Sequence, residues 1–144
     1  MVDFNLAVPV VLTSDSDWEI EWAGILLDNG ILLGGSFNTK GYIYLAPYAQ
    51  NMGYSVRMVD DSGQTFYLPY GEFGVGNGAL NSWKICYERD NKTISLYSYD
   101  NLVTSLAVEK DFSFTFTNVL GRYGSENVNY CYMGALDRLK ITLG

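Results

Sequence analysis

Apolar and polar positions alternate cleanly at several places in this chain. Trp18, Ile20 and Trp22 share one face of an extended segment, and Asp17, Glu19 and Glu21 share the other. Phe112, Phe114 and Phe116 alternate with Ser113 and Thr115 in the same period of two. Further strands are predicted over Asp3 to Val8 (stopped by Pro9), Ile31 to Leu33, Gly41 to Ala46 and Leu102 to Val108. Two hairpins are predicted. One joins Tyr54–Val59 to Thr65–Leu68 across Asp60-Asp61-Ser62-Gly63; the other joins Trp83–Glu88 to Thr93–Tyr99 across Arg89–Lys92. Asp28-Asn29-Gly30 is a turn signal, Gly34-Gly35 marks a bend, and Pro47–Gly53, Gly71–Gly78 and Asn118–Asn127 read as loops. The chain closes with strands around Val128–Tyr132 and Ala135–Leu143. No stretch of about twelve residues keeps an uninterrupted helical period, so the pattern predicts one β-sandwich of about ten to twelve strands spanning residues 1–144.

Composition strengthens that reading. In 144 residues there are 12 Tyr, 7 Phe and 3 Trp, residue types that favour strands, and 15 Gly against 3 Pro, which suits many tight turns. A formal charge of −7 argues against nucleic acid and anionic membranes as partners, since both need clustered cations. The absence of histidine removes imidazole acid–base chemistry, Ser-His-Asp and Cys-His nucleophile systems and most zinc sites. No signal peptide or membrane span is expected: the Leu6–Leu12 apolar run is short, contains Pro9 and follows no basic segment. Asn91-Lys92-Thr93 is a glycosylation sequon that reads as a turn. Cys86 and Cys131 each fall in a predicted strand. A reduced, buried state is the default expectation for both, and a disulfide between them stays open.

Three segments carry a resemblance to a known family. They are Asp17 to Trp22, the Trp-led pair Ser82–Tyr87 and Ser95–Tyr97, and the terminal run Tyr132-Met133-Gly134-Ala135-Leu136-Asp137-Arg138-Leu139-Lys140-Ile141. In this order they resemble the concanavalin A-like lectin/glucanase group, and within it laminin G-like and pentraxin-like jelly rolls. The resemblance implies an all-β fold, a two-sheet antiparallel jelly-roll sandwich. Gly134 would allow a close approach, Trp83 would plug the interior, and Leu136, Leu139 and Ile141 would reach the core, their uneven spacing marking a bulge. It also implies glycan binding on a sheet face or loop rim, sometimes through calcium. Members include glucanases, adhesion modules and virion parts.

The residues offer three kinds of chemistry. Asp17-x-Glu19-x-Glu21 sets carboxylates along one strand at a rise of about 3.3 Å per residue. Glu19 and Glu21 are the catalytic pair a small β-glucanase-like hydrolase would use. The laminarinase-like relatives have Glu-x-Asp-x-Glu, however, so the first two residue types are exchanged here, and a solvated strand face is the plainer account. Tyr48, Tyr54, Tyr67, Tyr70 and Tyr123 are the candidate ligand-binding residues, because sugar rings stack on aromatic faces. Asp60 and Asp61 are the metal candidates: a calcium site needs six to eight oxygens, and this segment is rich in them, although Asp is also ordinary turn chemistry. The expected function is a non-catalytic recognition or structural module that needs no cofactor unless calcium binds. Its expected partners are a glycan or host-surface polysaccharide and, through assembly, other proteins or copies of itself. By family analogy it would be a phage decoration, fibre or receptor-binding part.

Overall fold

The structure, a computed structural model, describes residues 4–26, 30–34, 41–46, 53–69, 80–119, 123–125, 128–130 and 134–144. These residues form thirteen strands and no helix. In chain order they are β1 (Phe4–Thr13), β2 (Trp18–Leu26), β3 (Gly30–Gly34), β4 (Tyr42–Leu45), β5 (Tyr54–Val59), β6 (Thr65–Pro69) and β7 (Leu80–Glu88), followed by β8 (Thr93–Ser98), β9 (Asn101–Ala107), β10 (Ser113–Val119), β11 (Tyr123–Ser125), β12 (Val128–Tyr130) and β13 (Gly134–Leu143). A six-stranded sheet runs β1-β10-β3-β4-β5-β6 and a five-stranded sheet runs β13-β2-β7-β8-β9, with β11 and β12 forming a separate ribbon. Every pairing is antiparallel, and the architecture is a jelly-roll sandwich.

The period-two segments build the interior. Trp18, Ile20 and Trp22 are buried in the core with Phe112, Phe114 and Phe116. Trp22 stacks on Trp83 at 5.7 Å between ring centroids, and Trp18 stacks on Tyr87 at 5.8 Å. Trp83, the fourth residue of β7, therefore fills the interior as expected. Burying side chains of this size supplies the main driving force for closing one sheet on the other.

The last strand behaves as its spacing predicts. The β13–β2 register shifts between Leu136 and Arg138, a bulge at Asp137, and Leu136, Leu139 and Ile141 all pack against the core. Gly24 on β2, which pairs with Leu136, is a glycine that the close approach of the two strands demands. A Cβ there would collide with the Ala135 carbonyl oxygen and lie 3.1 Å from Leu136 Cα.

Two expectations are corrected. The first strand does not stop at Pro9 but continues to Thr13. β1 is an edge strand paired only with β10, and its register slips between Asn5 and Val10. Proline is tolerated where no neighbour needs its missing N–H. The Asn118–Asn127 segment is not wholly a loop: β10 runs on to Val119, and Tyr123–Ser125 pairs with Val128–Tyr130. Polar composition hides short strands of this kind, because nothing in them alternates. The Asp28-Asn29 part of the first turn, Gly35 and the Gly71–Gly78 loop lie outside the described residues.

Candidate functional site

The outward face of β4, β5 and β6 is built from two side-chain periods laid against each other. Ile43 and Leu45 of β4, Val56 and Met58 of β5, and Phe66 and Leu68 of β6 point to the core. The intervening residues therefore face out, and register decides which of them meet. Tyr44 on β4 lies opposite Arg57 on β5, and Arg57 lies opposite Tyr67 on β6. This makes a row, Tyr44–Arg57–Tyr67, across three strands. The Arg57 guanidinium carbon sits 4.8 Å from the centre of the Tyr44 ring and 5.6 Å from that of Tyr42. A guanidinium held over an aromatic face gains from the ring quadrupole.

Tyr54 and Tyr67 complete the surface, with ring centroids 5.0 Å apart and planes tilted by 54°. On the same side of the sheet Ile31, Tyr42, Tyr44, Ala46 and Val59 form a second buried cluster, separate from the main core, and Tyr54 packs on it. The face thus has a firm base. Tyr67 is 49% exposed, so one aromatic ring is presented to solvent beside a half-buried arginine and a half-buried tyrosine. Ring faces of this kind receive the apolar face of a sugar, and a guanidinium beside them adds positive charge to the surface.

Of the sequence candidates, Tyr54 and Tyr67 come together here. Tyr48 and Tyr70 lie outside the described residues, and Tyr123 opens β11. Sequence reading missed Tyr42, Tyr44 and Arg57. The signal was present in β4, where Tyr42-Ile43-Tyr44-Leu45 alternates aromatic with aliphatic, but both types are apolar and a polarity pattern does not separate them.

The other candidates occupy different surroundings. The Asp60 carboxylate accepts hydrogen bonds within its own turn from the Ser62 N–H (3.0 Å), the Ser62 hydroxyl (2.8 Å), the Gln64 N–H (2.8 Å) and the Gln64 side-chain amide (3.3 Å). Asp61 reaches across to β10, accepting from the Thr115 N–H (3.0 Å), the Thr115 hydroxyl (2.7 Å) and the Ser113 hydroxyl (3.3 Å). Both carboxylates work as pins in this geometry. Among the described residues no group of three or more acids or cysteines is arranged to hold a metal ion.

Glu19 and Glu21 point away from the core on the five-stranded sheet. Glu19 lies opposite Cys86 and Thr142, and Glu21 lies opposite Lys84 and Lys140. Asp17 does not extend their row as a free carboxylate, since its Oδ1 accepts from the Arg89 N–H at 2.7 Å. Cys86 is a buried free thiol on the same face. Burial pushes its pKa from 9.0 up to about 11, with Glu19, Glu88 and Asp17 adding to the rise and Lys84 opposing it. A thiol so disposed is unreactive at neutral pH.

No protein-family model matches this chain, and no curated protein matches it. Among solved structures it is similar to the CBM40 of the IT-sialidase from Ruminococcus gnavus, with a TM-score of 0.58 at 16% identity over 88% of this chain and 75% of that one. The same module bound to alpha2,3 sialyllactose gives 0.60 at 17% identity, and bound to alpha2,6 sialyllactose it gives 0.53 at 16%, with the same coverage. At these identities the likeness establishes a shared fold.

Proposed function

We propose that this chain is a non-catalytic carbohydrate-binding module and that its glycan rests on the outward face of β4, β5 and β6. The observation that carries the reading is the exposed Tyr67 ring, with Tyr54 packed beside it and Arg57 opposite it in register, on a base of buried Tyr42 and Tyr44. Stacking on Tyr67 and Tyr54 supplies contact area at low entropic cost, and the positive charge of Arg57 beside them favours an acidic sugar. The likeness in fold to a carbohydrate-binding module solved with sialyllactose supports this assignment and makes acidic glycans the first ligands to try. The finer placement in the concanavalin A-like group, the single-module extent of residues 1–144, and the roles of Tyr48, Tyr70 and Tyr123 at the rim belong to the same proposal. Membership of a phage particle and assembly with other proteins rest on the family resemblance alone.

A glycan array that includes sialylated and neutral chains tests the reading. Hits are expected among the acidic glycans, weakened about tenfold by Tyr67→Ala or Tyr54→Ala, as befits the loss of a central aromatic contact. Hits that survive both substitutions unchanged would remove the site. Steady release of reducing sugar from a β-glucan, abolished by Glu21→Gln, would instead establish the hydrolase alternative and the catalytic pair Glu19 and Glu21.

A further inference from the structure

Where β6 ends one sheet and β9 ends the other, the two strands approach each other and a shallow, open cleft of about 440 Å³ lies along them. Phe66, Leu106 and Val108 are buried or half-buried there and give it an apolar floor, while Tyr67, Glu109 and Lys110 are exposed at its rim. Tyr67 therefore belongs to two surfaces at once. Its ring meets Tyr54 on the outward face, and the residue also lies along the edge of the cleft.

We propose that this cleft is a second subsite, which receives the sugars that follow the one stacked on the tyrosine face. The inference rests on the glycan-binding reading and specifies it: the ligand is an oligosaccharide, gripped at one residue by Tyr54, Tyr67 and Arg57 and along its continuation by the cleft. The lining from Gln64 to Tyr67 is four residues, and the three steps between them span about 10 Å of extended chain, which is longer than a single ring. Apolar floor and charged rim match a sugar chain, which offers C–H faces below and hydroxyls to Glu109 and Lys110 at the sides. An added peptide strand fits less well. β6 has only five residues and finishes on Pro69, which lacks the N–H that strand addition uses.

The experiment compares free sialic acid with alpha2,3-sialyllactose on wild type, Ala107→Trp and Lys110→Ala. Ala107 lines the cleft and is exposed, so the indole fills the cleft without entering the core. The trisaccharide should bind wild type about tenfold more tightly than the single sugar, and Ala107→Trp should erase most of that advantage while free sialic acid binds within about twofold of wild type. Lys110→Ala should remove a smaller part of it. An advantage that persists in both variants overturns the cleft and leaves the tyrosine face standing. Binding of neither sugar to wild type, or of both with no response to Tyr67→Ala, overturns the face and the cleft together. Competition by an extended peptide that Ala107→Trp blocks, with no chain-length effect for the sugars, would also overturn the proposal, in favour of strand addition.

Discussion

The two outward faces of this sandwich cover the same core and carry different chemistry. Across the five-stranded sheet one row reads Lys140, Glu21, Lys84, Tyr97 and Leu102, and the next reads Thr142, Glu19, Cys86, Ser95 and Ser105. Charges of opposite sign stand side by side there, and the Lys84 ammonium lies 4.9 Å from the centre of the Tyr97 ring. Across the six-stranded sheet the corresponding row reads Ile31, Tyr44, Arg57 and Tyr67, a single cation among aromatic rings on a buried apolar base. The first arrangement sets charges of both signs in register on neighbouring strands. The second places a guanidinium and an accessible ring together. The inward halves of both sheets fix the fold, and the outward half of one sheet holds the features a ligand would use.

The largest expected effect removes both faces together. Trp22 is buried against Trp83 at the shared interior, and Trp22→Ala should cost about 3–5 kcal/mol, read as a lowered urea midpoint with the tyrosine face and the charged face lost in one transition. Separate transitions for the two sheets would break the idea of a common core. Gly24→Val should act on the five-stranded sheet, because any Cβ there strikes the β13 backbone. A loss of about 1–3 kcal/mol is expected, with faster amide exchange along β13 and glycan affinity kept in the folded fraction. Asp61→Ala removes three hydrogen bonds between the β5–β6 turn and β10, and should cost about 2 kcal/mol whether or not calcium or a chelator is present. A calcium-dependent melting shift in wild type that Asp61→Ala abolishes would restore the metal-site reading.

A smaller effect distinguishes the faces by pH. The Cys86 thiol titrates higher in the folded chain than in the unfolded chain, so above its ordinary pKa the unfolded state binds fewer protons. Stability should therefore fall as pH rises from about 9 to about 11, and Cys86→Ala should flatten that slope. The Tyr87 phenol, also raised by burial, contributes with the same sign above its ordinary value, so some slope remains in the variant. An unchanged slope in Cys86→Ala would show that the thiol is better solvated than this structure places it.

Much of the architecture is legible without coordinates because it depends on local alternation. The Trp18-Ile20-Trp22 and Phe112-Phe114-Phe116 faces, the two hairpins, and the bulge implied by the Leu136-to-Leu139 spacing all appear as read. What escapes is what register and sheet position decide. Pro9 is harmless because β1 is an edge strand among the described residues and Pro9 falls in its register slip, and nothing around Pro9 says so. Arg57 meets aromatic neighbours on both sides only because β4 places Tyr44 on one side of it and β6 places Tyr67 on the other. A shift of one residue in either pairing would turn those rings toward the core. Tyr54 and Tyr67 could be nominated from composition and loop proximity; their contact could not.

Amide chemical-shift mapping during titration with alpha2,3-sialyllactose tests the central claim most directly. Tyr44, Tyr54, Arg57 and Tyr67 should move in a saturable way, while Glu21, Lys84 and Tyr97 stay in place. Saturable movement confined to Glu21, Lys84 and Tyr97 would contradict the account and transfer the binding surface to the opposite sheet.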